Sequence, residues 1–134
     1  MTEYLDLADY LLIAEDVLGV PAEDLAKSPR IHLADSALHA PGAGFGGLEF
    51  YPELTTKAAV LCARLVWNHP LPDGNKRVAL LCLREFVERN GYLWRAPERD
   101  PDETVEIIEG LASGEVDLDE LTRWIGARVR AVGS

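Results

Sequence analysis

Apolar residues recur every three or four positions along most of the chain, and two-residue alternation is nearly absent, so the pattern predicts helices almost throughout. Leu5, Leu7, Ala8, Leu11, Leu12, Val17 and Leu18 form a first stripe that Gly19 closes. Ser28-Pro29 predicts a cap and a proline at the first helical position, opening a short helix through Leu33, Ala37 and Leu38 that Pro41-Gly42 stops. Gly42, Gly44, Gly46 and Gly47 then crowd a loop that cannot be helical. Ala58, Ala59, Leu61, Cys62, Leu65 and Val66 mark a helix from Thr55 to Asn68. Another runs from Asn75 to Asn90; it is apolar almost all round at Val78, Ala79, Leu80, Leu81, Cys82 and Leu83, which predicts a central position. Its second half turns amphipathic, with Arg84/Glu88 and Glu85/Arg89 as four-residue charge pairs. Asp100-Pro101 with Glu103, and Asp117 with Glu120, are cap signatures for two last helices near 101–112 and 118–130. The pattern therefore predicts one all-α domain over residues 1–134, of six or seven helices with a short glycine-rich flap and no linker or repeat.

Composition narrows the partners. The 134 residues are 48% hydrophobic and 27% charged, ordinary for a globular domain, but the formal charge is −10. A uniformly acidic surface repels phosphate backbones and anionic lipid headgroups, so nucleic acid and membranes are poor partners. The acidic start lacks the positive region of a signal peptide, and no stretch has the roughly 20 apolar residues that span a bilayer. Cys62 and Cys82 lie in apolar helical runs rather than in a paired motif, which fits reduced thiols and a cytoplasmic setting.

The candidate chemistry is concentrated in Asn68-His69-Pro70-Leu71-Pro72-Asp73-Gly74-Asn75-Lys76-Arg77, between the two strongest helices. Two prolines stiffen the loop. A Gly-Asn turn opening a helix presents successive backbone N–H groups together with the positive end of the helix dipole, which suits an anion. Lys76 and Arg77 stand where that dipole disfavours cations, a placement that makes sense if a phosphate visits. Asp73 offers the hard oxygen that Mg²⁺ prefers, and His69, on the rigid loop a few residues upstream, is the natural candidate for a general base, the role histidine most often takes.

The run HPLPDGNKR resembles the signature of the Fic/Doc superfamily, specifically its Doc (death-on-curing) branch, whose loop reads H-x-F-x-D/N-x-N-K-R. The order of features from about 30 to 95 agrees: a flap with Phe45-Gly46-Gly47 and Tyr51-Pro52, a helix ending Asn68-His69-Pro70, the loop, and a helix ending Asn90-Gly91-Tyr92. The resemblance implies a toxin of a toxin–antitoxin pair that modifies a target protein using ATP and Mg²⁺. In that reading His69 deprotonates a Ser, Thr or Tyr hydroxyl, Asp73 holds Mg²⁺, and Gly74, Asn75, Lys76 and Arg77 hold the nucleotide phosphates. Glu49, Phe50 and Tyr51 belong to a flap that docks a target segment by main-chain pairing. It also implies a Phd-type antitoxin acting in trans and a target such as elongation factor Tu.

Departures from the pattern bear on the reaction. AMP-transferring Fic enzymes read G-N-G-R-x-x-R, whereas here Lys76 stands at the second glycine and Leu80 at the second arginine. The Doc branch shares both replacements, which favours a phosphate-transferring kinase; an AMP transferase and a catalytically inactive binding module of the same fold stay open as alternatives. Leu71 replaces the pattern's Phe as the loop's apolar anchor. The S/T-x-x-x-E-G/N helix of self-inhibited Fic proteins is not matched, because Val105 precedes Glu109-Gly110 at the Ser/Thr position. Charge also divides along the chain: residues 1–63 carry −7, 64–95 carry +3 and 96–134 carry −6. The one positive segment holds the proposed phosphate loop.

Overall fold

A computed structural model describes residues 1–95 and 100–133. Among the described residues there are seven α-helices, in chain order α1 (Leu7–Leu18), α2 (Ala22–Leu25), α3 (Ile31–His39), α4 (Leu54–Asn68), α5 (Asn75–Arg89), α6 (Asp100–Ser113) and α7 (Leu118–Gly126). Two small antiparallel pairs accompany them: β1 (Gly44–Phe45) with β2 (Leu48–Glu49), and β3 (Tyr92–Trp94) with β4 (Val129–Ala131).

Local chemistry accounts for the helix ends. Asp6 and Asp9 form a reciprocal capping box at the start of α1, and Gly19 ends it in the left-handed conformation. Asp117 caps α7 by accepting from the Glu120 N–H at 2.8 Å. α6 starts at Asp100 itself, and the side chains of Asp100 and Pro101, with any cap they make, lie outside the described part of the structure.

The core centres on α4. Nine of its fifteen residues are buried, and α3, α5 and α7 pack around it. Ala58, Ala59 and Ala63 let neighbouring helices approach closely, while Leu61, Leu65 and Val66 fill the space between them. This corrects the expectation that 75–90 is the central helix. α5 buries the face built from Val78, Ala79, Cys82, Leu83, Phe86 and Val87, but Leu81 is exposed. Both cysteines are free and buried, and burial pushes the Cys62 thiol up to about 12.

Two further expectations are overturned. The last helix does not run to 130; it ends at Gly126, and the chain turns into β4, which pairs Val129 with Trp94, Arg130 with Leu93 and Ala131 with Tyr92. Strands of three residues joined across a long sequence separation leave no readable alternation. The pair is secured by Trp94 against Trp124, with ring centroids 5.5 Å apart, and by Arg128, which lies 4.3 Å from the Trp124 ring centre and donates to Glu103 at 2.6 Å. Of the charge pairs expected on α5, Arg89 does bond Glu85 at 2.9 Å, while Arg84 lies over the Trp94 ring.

Arg89 also grips both carboxylate oxygens of Asp9, at 3.0 and 3.2 Å, tying α5 to the start of α1. That guanidinium, more than any other contact, holds the Asp9 carboxyl below its ordinary 3.8. The unfolded chain thus takes up a proton here before the folded one does, so the pair's contribution is full at neutral pH and is lost as pH falls from about 3.8 through the depressed folded value. Asp9→Asn is expected to cost about 1 kcal/mol in urea denaturation at pH 7, with the difference from the parent chain shrinking in acid.

Candidate active site

The site is the six-residue reversal from α4 to α5. His69 ends α4 at φ 47° and ψ 59°, the one non-glycine residue at positive φ among those described. Histidine tolerates this region better than branched residues do, but the conformation still needs support. It comes from the residues just before α3. Arg30 donates from Nη2 to the Asn68 carbonyl at 2.7 Å and from Nε to the His69 carbonyl at 3.0 Å, and the Ser28 hydroxyl donates to the Pro70 carbonyl at 2.8 Å. Asn68 reaches back to the Leu33 carbonyl at 3.1 Å. Three successive carbonyls at the negative end of α4 are thus satisfied, two of them by a cation. Ser28 therefore does not cap α3 as its sequence context suggests; α3 begins at Ile31, and no side chain caps it.

Asn75 secures the other end. Its buried amide accepts from the Leu71 N–H at 3.0 Å and donates to the Leu71 carbonyl at 2.8 Å. Leu71 is itself only 4% exposed, so the smaller side chain does anchor the loop in the core. Gly74 sits at φ 79°, and a Cβ there would come within 2.3 Å of Leu18 Cδ2. Both the backbone angle and the packing against the end of α1 demand glycine.

With the loop so fixed, all six motif residues converge. His69, Asp73, Gly74, Asn75, Lys76 and Arg77 line one cavity of about 520 Å³, completed by residues that include Leu80 and, on α6, Thr104, Val105, Ile108 and Glu109. His69, Asp73 and Arg77 are exposed, and Lys76 is half-buried. No side chain caps α5, whose first residues line the cavity, and the first intrahelical bond runs from Val78 to Gly74 at 3.0 Å. These features suit a phosphate. No group of three or more His, Cys, Asp or Glu is arranged for a metal among the described residues. Asp73 as a single carboxylate fits Mg²⁺, which commonly takes one or two protein oxygens and completes its shell with phosphate oxygens and water.

Glu49, Phe50 and Tyr51 do not line this cavity. Glu49 is on β2, and Phe50 and Tyr51 follow it with their rings edge to face at 6.5 Å. The glycine-rich loop is a hairpin in which Gly46 and Gly47, at φ 59° and 81°, form the two-residue turn.

Sequence reasoning missed three contributors. Arg30 and the structural use of Ser28 act across about forty positions and leave no local signal. Glu109 was set aside because Val105 stands at the motif's Ser/Thr position, yet its carboxylate accepts from Lys76 Nζ at 2.9 Å inside the cavity. The pair is largely exposed, so its Coulombic strength is screened, but it does occupy the lysine.

Comparison with known proteins bears on the family of the chain. The profile of the Fic/DOC family matches residues 4–87, a span that starts well before the 30–95 stretch on which the resemblance was read and includes the whole loop. The chain is also similar to the protein named Toxin Doc from Mycolicibacterium smegmatis, 36% identical over 121 residues that cover 90% of this chain and 89% of that protein.

Asn75→Ala strands two buried backbone groups of Leu71. It is expected to lower stability by about 1–3 kcal/mol, measured by urea denaturation, whereas an equally stable variant would show that the loop holds its shape without this side chain.

Proposed function

The chain belongs to the Fic/Doc family, and from that premise we propose that it is a Doc-type toxin that moves the terminal phosphate of ATP onto a Ser, Thr or Tyr hydroxyl of a target protein. The observation that carries the reading is the convergence of His69, Asp73 and the Gly74–Arg77 turn on one cavity at the start of α5. Phosphoryl transfer asks little covalent chemistry of a protein; it asks for positioning and for charge where negative charge develops.

The roles follow from placement. The free N–H groups of the first turn of α5, with Lys76 and Arg77, hold the phosphates. Arg77 can grip with two parallel hydrogen bonds, whereas Lys76 acts as a point charge. Asp73 would hold Mg²⁺, which when bound neutralises charge on the phosphates. His69, exposed at the end of α4, accepts the proton of the target hydroxyl on a ring nitrogen as that oxygen bonds the γ-phosphorus, and the bond from the γ-phosphorus to the bridging oxygen breaks to release ADP. Lys76 in place of a glycine, and Leu80 in place of an arginine, favour phosphate over AMP transfer, because the lysine side chain fills space that a bare backbone would leave to another phosphate.

The similarity to Toxin Doc supports an antitoxin partner, and the Phd type is the one proposed. Elongation factor Tu is the proposed target, and arrest of translation the consequence. No described helix is long and apolar enough to cross a membrane; two buried free thiols suit the cytoplasm, where the proposed target resides.

Incubating the chain with ATP, Mg²⁺ and elongation factor Tu, followed by intact-mass analysis, should show the gain of one phosphate; the heavier AMP adduct would favour the alternative, and no adduct the inactive module. His69→Ala should lower the rate by about 10²–10⁴-fold, and unchanged transfer by that variant would sink the mechanism. Arg77→Ala should weaken ATP binding by about 10- to 100-fold. Glu109→Gln frees Lys76 and should tighten ATP binding by about two- to fivefold in calorimetry.

A further inference from the structure

Lys57 occupies an unusual position for a cation. It lies in the first turn of α4 and is 1% exposed, so burial and the helix dipole both act against its charge. Three segments supply the compensation. Nζ donates to Glu49 Oε1 on β2 at 2.8 Å and to the Pro41 carbonyl at 3.2 Å, and it lies 5.7 Å from the centre of the Tyr4 ring. Tyr4 in turn packs on Gly42, where a Cβ would come within 3.1 Å of the ring, and against Phe86 with centroids 6.1 Å apart. Burial lowers the lysine pKa, but Glu49 and Tyr4 beside it more than offset this and the net shift is upward, so the group stays cationic.

The hairpin needs such an anchor. β1 and β2 pair through only two residues each, all four of them exposed, and an isolated two-stranded hairpin is marginal in water. The Phe50 N–H bond to the Ala43 carbonyl at 3.0 Å closes the base of the hairpin upon itself. The Glu49–Lys57 bond instead joins β2 directly to α4, the same helix that ends in His69.

We propose that Lys57 is a positioning residue that, through Glu49, fixes the flap relative to the far end of α4 and so pre-sets the strand edge on which a target segment docks. This rests on the target-docking role of the flap in the proposed function. With the Glu49 carboxylate turned inward, an arriving segment meets backbone and the apolar side chains of Phe45, Leu48 and Phe50, which are 83%, 76% and 61% exposed. The docking edge thus selects an extended apolar stretch rather than a basic one. Holding the edge still before binding removes an ordering cost from the encounter.

The test uses the full chain carrying Glu49→Ala, a change at a half-exposed side chain that spares the core, with Glu49→Gln as the conservative variant whose amide oxygen can still accept from Nζ. Glu49→Ala should speed amide exchange at Phe50 by about tenfold while core amides of α4 stay protected. It should also raise KM for the protein target by about tenfold, with the effect falling on that constant rather than on KM for ATP, and Glu49→Gln should recover part of both changes. Exchange at Phe50 as slow as in the parent chain, or faster exchange with no change in KM for the target, overturns the proposal. If the parent chain transfers nothing from ATP, the kinase reading fails separately, and the exchange measurement still decides whether Lys57 anchors the flap.

Discussion

The last carbonyls of α4 point toward the loop and need donors, and the way they obtain them determines nearly everything around the site. Arg30 and Ser28 reach across from the start of α3 to the carbonyls of Asn68, His69 and Pro70, while Asn75 takes both backbone groups of Leu71. Satisfying a buried or half-buried carbonyl is obligatory rather than optional. Here the donors that satisfy them also support the left-handed turn at His69, and the first residues of α5 line the same cavity as that histidine. Geometry for chemistry and accounting for backbone hydrogen bonds are one arrangement.

The electrostatic layout follows from the same reversal. The chain is acidic on either side of the 64–95 segment, and the cations Lys76 and Arg77 stand at the positive end of a helix, a position without local justification. Lys76 has found a carboxylate across the cavity in Glu109, while Arg77 is exposed at the wall. A small anion entering this cleft meets the one net-positive stretch of an otherwise repelling surface, which discriminates against long polyanions through the flanks and not through the site itself.

How much of this was legible depends on the range of the interaction. The helices around Ala58–Val66 and Val78–Val87 announce themselves because their periodicity is local, and the loop residues do so because nine consecutive positions carry a pattern. The expected last helix overran at Val129–Ala131, where three residues pair with Tyr92–Trp94 and alternation is too brief to register. Ser28 looked like a cap because Ser-Pro often is one, yet its hydroxyl serves a carbonyl forty-two positions away. Arg30 carried no signal, since an arginine in a loop has no sequence feature that names its acceptor. Glu109 was lost for a different reason: the residue type at Val105 decided the matter, whereas the approach of Glu109 to Lys76 is set by how α6 packs.

The contacts that shape the loop also order its assembly in time. A chain leaves the ribosome from its N-terminus, and domains fold as the segments they need become available. The donors at 28 and 30 emerge long before the carbonyls at 68–70, and Leu71 stays unpinned until Asn75 follows. A truncated product ending before α5 therefore carries the histidine but neither the bond that seats its loop nor the helix start that would receive a phosphate. The loop is therefore completed only once the fifth helix has left the ribosome.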